Sequence, residues 1–330
     1  MLFFSVIIPV FNRPTEIDEL LQSLTQQSSN NFEVIVVEDG STIPCKKITD
    51  KYATQLDINY YAKPNSGPGQ SRNYGAEKSK GDYLIFLDSD CILPENYIQS
   101  IKQELQTSPA NAFGGPDRAH KSFTTIQKAI NYSMTSFFTT GGIRGGKRKM
   151  DKFYPRSFNM GIRREAYQSL GGFSDMRFGE DIDFSIRIFK NGYSCRFFPE
   201  AWVYHKRRTD LKKFFKQVHN SGIARINLYK KYPESLKLVH LLPAIFTVCI
   251  VSFLIGTLFT NICFIPVILY ILLILGDATW QNKNLRIGIY SVATAFVQLI
   301  GYGTGFARAW WWRCICRKNE FSAFNKNFYK

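Results

Sequence analysis

The chain has 330 residues, of which 45% are hydrophobic and 21% are charged, and this composition excludes an intrinsically disordered protein. Lys and Arg outnumber Asp and Glu by 42 to 26, a formal net charge of +16, which suits nucleic acid, anionic lipid or phosphorylated ligands equally well. No RNA-binding or helix-turn-helix motif accompanies the charge, so we expect no nucleic-acid partner.

The first third of the chain alternates short apolar runs with amphipathic segments. The pattern predicts strands at 3–10, 32–37, 58–62 and 82–88, and helices at 15–26, 46–53 and 70–79. Such alternation is typical of an α/β protein with a doubly wound, mostly parallel sheet. The apolar start has no basic region and no cleavage site, so we interpret it as a buried strand and not as a signal peptide.

Two of the predicted strands end in pairs of acids. Glu38 and Asp39 follow the second strand, and Asp88 and Asp90 follow the fourth. Ligands of open α/β sheets bind at the carboxyl ends of strands, so we expect these acids at one edge of the sheet. Carboxylate oxygens suit a divalent cation, although a solvated acidic turn would give the same Asp-x-Asp pattern.

The middle of the chain changes in character after residue 114. A Gly-rich basic loop at 139–150 could close over an anionic ligand or could simply be solvated; its cations are Arg144, Lys147, Arg148 and Lys149. Glu180 and Asp181 open a predicted helix that reaches about residue 190, where helix capping would also explain two acids. A strand is predicted at 197–205, ending at His205.

Three long uncharged runs occupy 241–260, 261–276 and 287–307. The first has the length that a helix needs to cross a bilayer. Basic residues flank the runs, and a Trp triplet at 310–312 is typical of a membrane interface. We predict a membrane region at 233–307 and an interfacial tail at 308–330. Two layouts stay open: three full spans, or two spans and an interfacial or re-entrant third segment.

The cysteines and isolated histidines give no further site. The seven cysteines have no Cys-x-x-Cys spacing, which favours reduced structural thiols in a protein that faces the cytosol. His120, His219 and His240 have no recognisable partner pattern, so we interpret them as structural or interfacial.

Six motifs in order along the chain carry a resemblance to a known family. They are Ile-Pro-Val-Phe-Asn at 8–12, Val-Glu-Asp-Gly-Ser-Thr at 37–42, Ser-Gly-Pro-Gly-Gln-Ser-Arg-Asn at 66–73, Phe-Leu-Asp-Ser-Asp at 86–90, Gly-Phe at 172–173 and Gly-Glu-Asp-Ile-Asp at 179–183. Over about 3–205 the chain resembles the family-2 glycosyltransferases. The resemblance implies a GT-A fold, with a nucleotide-sugar-binding half at 1–115 and an acceptor-binding half at 116–232.

The resemblance also implies a donor site. Asp39 matches the aspartate that binds the nucleobase, and Pro9 and Phe11 are expected to line the base pocket. Asn12, in the same motif, is expected to bind the nucleotide sugar. Arg72 and Asn73 match positions near the nucleotide and its phosphates. Glu38 stands where the family most often has aspartate, which leaves the role of this position open.

The same resemblance implies a metal site and a catalytic base. Asp88 matches the aspartate nearest the ribose and metal, Asp90 the metal ligand, and His205 a third ligand found in some relatives. The cation would be Mg²⁺ or Mn²⁺. Asp181 matches the base that takes the proton of the acceptor hydroxyl, and Glu180 precedes it in the catalytic pair.

The expected function is therefore metal-dependent, inverting transfer of a sugar from a nucleotide diphosphate to a glycan or lipid-linked acceptor, in polysaccharide biosynthesis at the cytoplasmic side of the cytoplasmic membrane. Processive relatives carry Gln-x-x-Arg-Trp, whereas residues 217–221 are Gln-Val-His-Asn-Ser, which favours single additions. Three alternatives stay open: a polyprenyl-phosphate sugar transferase, a sugar nucleotidylyltransferase, and a catalytically silent glycan-binding subunit.

Overall fold

The computed structural model describes residues 2–120, 122–141 and 153–320. The described chain divides into two compact units, one formed by 2–120 and 153–205 and the other by 122–141 and 206–320. The segment 116–232, predicted as the acceptor-binding half, contributes to both units. The predicted lid cations Arg144, Lys147, Arg148 and Lys149 lie outside the described residues.

The strands are β1 (Phe4–Val10), β2 (Phe32–Asp39), β3 (Ile58–Lys63), β4 (Tyr83–Leu87), β5 (Cys91–Ile92), β6 (Ala112–Gly114), β7 (Asp117–Arg118), β8 (Asn159–Arg163), β9 (Cys195–Phe197) and β10 (Val203–His205). The helices are α1 (Pro14–Thr25), α2 (Lys46–Tyr52), α3 (Pro68–Lys78), α4 (Tyr97–Thr107), α5 (Thr125–Thr135), α6 (Phe137–Thr140), α7 (Arg164–Ser169), α8 (Glu180–Lys190), α9 (Leu211–Lys231), α10 (Leu242–Gly256), α11 (Phe264–Asn282) and α12 (Leu285–Trp310). The first four strands and three helices confirm the predicted α/β alternation.

The first unit is built on a seven-stranded sheet in the order β3-β2-β1-β4-β8-β6-β9. The four strands from β3 to β4 are parallel, and β8 runs antiparallel between β4 and β6. The strands β1, β2 and β4 are almost continuously apolar and buried, as strands covered on both faces must be. The sheet confirms the predicted mostly parallel architecture and brings the carboxyl ends of β1, β2 and β4 to one edge.

The prediction of one strand over 197–205 is wrong. Residues 195–197 form β9 at the end of the large sheet, whereas 203–205 form β10 in a separate sheet of order β5-β10-β7. In that small sheet β10 pairs antiparallel with β5, and His205 stands opposite Cys91. Because β5 begins directly after Asp90, this register carries His205 to the acidic end of β4.

The second unit consists of helices, with α12 packed against α5, α9, α10 and α11. Glycines allow the close approach of α9 and α12, since a Cβ on Gly222 would collide with the Tyr302 carbonyl and one on Gly305 with that of His219. Among the described residues, two helical stretches are long and apolar enough to cross a membrane, Asn261–Asn282 and Leu285–Ile315. The uncharged run at 241–260 forms a helix only over Leu242–Gly256.

Candidate active site

The acidic end of β4 lies within a network of cations. Asp88 follows the last residue of β4, and its Oδ1 accepts a hydrogen bond from Arg72 Nη2 at 2.6 Å. Asp90 precedes β5, and its Oδ2 accepts from Arg13 Nη1 at 2.6 Å. The two carboxylates are thus held by arginines from different parts of the chain, the start of α1 and the middle of α3.

His205 completes this group because of the β5–β10 register. Its Nε2 lies 3.2 Å from Asp90 Oδ1 and 3.9 Å from Asp88 Oδ2. The imidazole stacks on Phe158, with ring centroids 4.6 Å apart, and its Nδ1 is buried without a hydrogen-bond partner among the described residues. The structure therefore brings together all three predicted metal ligands.

The ligand set fits a hard divalent cation. Two carboxylates and one imidazole offer oxygen and nitrogen atoms of the kind that Mg²⁺ and Mn²⁺ bind. The Sγ of Cys91 lies within 4.8 Å of the nearby ligand atoms of Asp90 and His205, but burial raises the pKa of this thiol far above its usual value. Thiol sulfur is a soft ligand, whereas Mg²⁺ and Mn²⁺ prefer oxygen, so the chemistry of these residues favours Asp88, Asp90 and His205 over Cys91.

Arg72 links the metal-side acids to the predicted catalytic pair. Its guanidinium is buried, contacts the face of Phe173 and donates from Nη1 to Glu180 Oε1 at 3.1 Å. Burial, together with the adjacent Asp181 carboxylate, raises the pKa of Glu180 to about 7, against the opposing effect of Arg72. Glu180 thus positions Arg72 beside Asp88.

Asp181 lies in the first turn of α8 and is largely buried. Its Oδ2 accepts from Arg156 Nε at 2.5 Å, and its Oδ1 accepts from the Ile182 backbone N–H at 2.8 Å. The Arg156 side chain is 37% exposed, so the residue that covers the carboxylate is itself accessible from solvent.

The carboxylate of Asp39 binds a different set of partners. Its two oxygens accept from the backbone N–H groups of Ser66 and Gly67, both at 2.9 Å, and Lys63 pairs with Oδ1. Gly67 is the residue before α3 and has a positive φ of 93°. Asp39 therefore holds the loop that leads into the helix carrying Arg72, and its side chain is buried.

The contacts of the neighbouring Glu38 also stabilise the fold. Its carboxylate accepts from the Ser41 hydroxyl, from the Cys45 backbone N–H at 2.7 Å and from the Tyr60 hydroxyl at 3.3 Å. These contacts close the loop after β2. The longer glutamate side chain reaches the start of α2 from the end of the strand, which gives this position a role within the fold.

The remaining predicted donor-site residues tie loops together. Asn12 has a positive φ of 52°, and its Oδ1 accepts from the backbone N–H groups of Thr42 and Ile43. Pro9 lies within β1 and Phe11 directly after it. The amide of Asn73 donates to the Phe173 carbonyl and accepts from the Phe173 N–H, so it joins α3 to the Gly-Phe motif.

Three basic residues at the site were missed by sequence reasoning. They are Arg13 on Asp90, Lys63 on Asp39 and Arg156 on Asp181. Arg13 directly follows the first motif, so its position after β1 was a usable signal. Arg156 lies where no motif exists, and only the folded chain brings it to α8.

Comparison with known proteins identifies the family. The model of glycosyl transferase family 2 matches residues 5–171, which is half of the chain. The chain belongs to glycosyl transferase family 2. The match includes the acidic ends of β2 and β4 and stops before Glu180, Asp181 and His205.

Individual relatives agree with this assignment. An uncharacterized glycosyltransferase of Haemophilus influenzae is 32% identical over 196 residues, which is 56% of this chain and 61% of that protein. The poly(ribitol-phosphate) beta-N-acetylglucosaminyltransferase TarS of Staphylococcus aureus is 38% identical over 94 residues, 27% of this chain and 16% of TarS. The aligned part of the chain thus spans less than two thirds of either relative.

A solved structure supports the fold. The mannosyltransferase of Pyrobaculum calidifontis, in complex with GDP-Man and Mn²⁺, superposes with a TM-score of 0.62 at 16% identity, over 90% of this chain and 87% of that chain. The similarity confirms the predicted GT-A fold. Its bound ligands belong to that protein.

Proposed function

We propose that the protein transfers a sugar from a nucleotide diphosphate sugar to an acceptor hydroxyl, with inversion at the anomeric carbon. The observation that carries the proposal is the continuous set of contacts from Arg13 through Asp90, His205, Asp88 and Arg72 to Glu180. It joins the residues proposed as cation ligands to the acidic start of α8 within one unit.

The donor end of this network would bind the diphosphate. Asp88, Asp90 and His205 would hold the divalent cation, Mg²⁺ or Mn²⁺, which would neutralise charge on the leaving nucleotide diphosphate. Arg13 and Arg72 lie beside the same carboxylates and can donate hydrogen bonds to phosphate oxygens. Asp39 organises the loop before α3 and, by resemblance to the family, the nucleobase pocket.

The acceptor end would take the proton. As the acceptor oxygen bonds to the anomeric carbon, the bond from that carbon to the phosphate oxygen breaks, and the hydroxyl proton passes to a carboxylate. Asp181 is the proposed base, and Arg156 must then leave its Oδ2. The partial exposure of Arg156 allows that movement without unfolding α8.

A test of this proposal starts from a screen of nucleotide sugars with Mg²⁺ and with Mn²⁺, measuring metal-dependent release of the nucleotide diphosphate. Once a donor is known, NMR of the product reports the anomeric configuration. Retention of configuration would contradict the single displacement that assigns Asp181 as base. Full activity in the presence of a strong chelator would contradict the cation site.

The second candidate is transfer to a lipid phosphate, with no glycan hydroxyl involved. The exposed apolar surfaces of α10 and α11 in the second unit favour it, because they would keep the protein where such acceptors reside. Incubation of one radiolabelled donor with a polyprenyl phosphate and, separately, with a lipid-linked glycan distinguishes the two. Label in the lipid phosphate alone would select this second function.

We also propose membrane association, with the first unit on the cytoplasmic side. The support is the apolar helices together with basic residues before α10 and after α12. Resistance of the bound protein to extraction at alkaline pH measures the association. The accessibility of an exposed residue of the first unit in intact cells measures the side.

A further inference from the structure

Two helices of the second unit expose apolar side chains over most of their length. One residue of α10, Ile250, is buried, and α11 buries only Ile274 and Ala278. The turn between them exposes Leu258, Phe259 and Ile262 by 80%, 86% and 69%. No charged residue occurs from 241 to 276. An apolar surface of this extent marks a site of interaction with another apolar surface. Its aliphatic and aromatic side chains fit lipid acyl chains.

The uncharged part of each arm of the hairpin is shorter than a bilayer is thick. At 1.5 Å per residue, the 15 residues of α10 measure about 22 Å, and the 13 uncharged residues of α11 before Asp277 measure about 20 Å. The hydrocarbon core of a bilayer is about 30 Å thick. Helix α10 therefore does not reach from one interface to the other. The stretch Asn261–Asn282 would be long enough by itself, but Asp277 is bound to Tyr132 within the second unit, so only the uncharged part before it can enter the hydrocarbon.

Contacts within the second unit further shorten the part of the hairpin that can enter the bilayer. Near the start of α10, Phe246 packs against Phe296 of α12 and Tyr270 of α11, with ring centroids 5.8 and 5.1 Å apart. At the end of α11, Asp277 accepts a hydrogen bond from Tyr132 of α5 at 2.5 Å. The arms are thus fixed to the unit at their outer ends, and only the turn with its adjacent residues extends beyond these contacts.

Most backbone N–H groups of the turn are bonded within the hairpin, which lowers the cost of placing the turn in hydrocarbon. The backbone N–H groups of residues 257–260 donate to carbonyls of residues 253–256. The hydroxyl of Thr257 donates to the Leu254 carbonyl at 2.6 Å, and that of Thr260 accepts from the Ile262 N–H. A turn that emerged into water on the far side would not need these bonds and would expose Leu258 and Phe259 at a cost.

Helix α12 packs against α9, whose exposed side is charged near both ends. Along 218–229 and 301–310 it runs beside α9, with close contact at Gly222 and Gly305 and stacking of Tyr229 on Trp310. The exposed side of α9 carries lysines at both of its ends, namely Lys212, Lys213, Lys216, Lys230 and Lys231. Phe215 of α9 lies beside Gly301, near the middle of the apolar stretch Leu285–Ile315. A bilayer crossing by α12 would therefore draw Lys212, Lys213 and Lys216 into hydrocarbon, so α12 lies at the interface or outside it.

We propose that α10 and α11 form a re-entrant hairpin that enters one leaflet and returns to the same face of the membrane. Exposed basic residues stand at both ends of the hairpin, Lys237 before α10 and Lys283 and Arg286 after α11. They would contact anionic headgroups at the point of entry. This proposal rests on the membrane association proposed above. It excludes both layouts predicted from the sequence, since one has three full spans and the other has two.

The test adds one accessible cysteine at a time and uses a membrane-impermeant maleimide; the native Cys45 and Cys91 are kept because both are buried. In a background with Cys195, Cys249, Cys263, Cys314 and Cys316 replaced by Ala, Phe259→Cys probes the turn, Lys283→Cys the entry face, and Lys47→Cys an exposed position of the first unit. Intact cells and inverted membrane vesicles present the two faces, and detergent exposes every site. Alkaline extraction of the same membranes reports association separately.

We expect Lys283→Cys and Lys47→Cys to label from the same face, and Phe259→Cys to label from neither face until detergent is added. Labelling of Phe259→Cys from the face opposite to Lys283→Cys would show a spanning hairpin and overturn the proposal. Labelling of Phe259→Cys in membranes from the same face would place the turn in water and overturn it as well. Release of the protein at alkaline pH would instead refute membrane association itself.

Discussion

The buried carboxyl of Glu180 allows a prediction about stability and pH. Burial and the adjacent Asp181 raise its pKa from 4.5 to about 7 in the folded chain. The folded protein then holds this proton more tightly than the unfolded chain does. The stabilisation of the folded state by the proton on Glu180 is therefore fully present below pH 4.5 and is lost as the pH rises through about 7.

The expected size of the effect follows from the same values. One pH unit corresponds to about 1.4 kcal/mol, so the loss between pH 4.5 and 7 is about 3 kcal/mol. Glutamine is neutral at every pH and keeps a similar shape. Glu180→Gln should therefore match the wild type near pH 4.5 and be more stable by about 3 kcal/mol above pH 7, which is about 6–12 °C in Tm for a unit of this size.

Thermal unfolding of the detergent-purified protein, from pH 4.5 to 7.5, measures the difference in Tm between the variant and the wild type. Glu77→Gln is the matched control, because Glu77 is an exposed carboxyl on α3 and its replacement changes the same charge at the surface. A difference between Glu180→Gln and the wild type that stays constant across this pH range would refute the reasoning.

Three further predictions concern the site. Asp181→Asn should lower turnover by about 10²–10⁴-fold while calorimetry shows unchanged donor affinity; an unchanged rate would exclude Asp181 as the base. Asp90→Asn should remove the dependence of donor affinity on Mn²⁺, and a persisting dependence would count against this ligand. Asn73→Ala should lower stability by about 1–3 kcal/mol, since it leaves buried polar groups of Phe173 and Tyr167 unpaired; a Tm equal to that of the wild type would disprove this.

Much of the first unit could be predicted from local patterns. The strands β1, β2 and β4 are recognisable because each is a short apolar run, and the acids at the end of β2 and after β4 mark the carboxyl edge of a parallel sheet. A different local pattern predicts the start of α8 at Glu180: a glycine is followed by acids in the first turn of the helix.

What the sequence left open depends on contacts between distant residues. The separation of β9 from β10 cannot be read from 197–205, because it follows from pairing with β6 and β5, about 80 and 110 residues earlier. Arg156 reaches Asp181 only through the packing of its segment against α8. Similarly, the length of the uncharged run at 241–260 suggested a full span, whereas the helix ends at Gly256 and is anchored by Phe246.

The pairing of Arg13 with Asp90 and of Arg72 with Asp88 explains how acids can be held close together at the end of β4. Each carboxylate would otherwise repel the other, and each guanidinium offsets that repulsion at 2.6 Å. A divalent cation that binds these carboxylates competes with the same two arginines. The guanidinium groups then become available to the anionic diphosphate that accompanies the cation. Binding of cation and donor would therefore be mutually favourable, because each partner satisfies the groups that the other displaces.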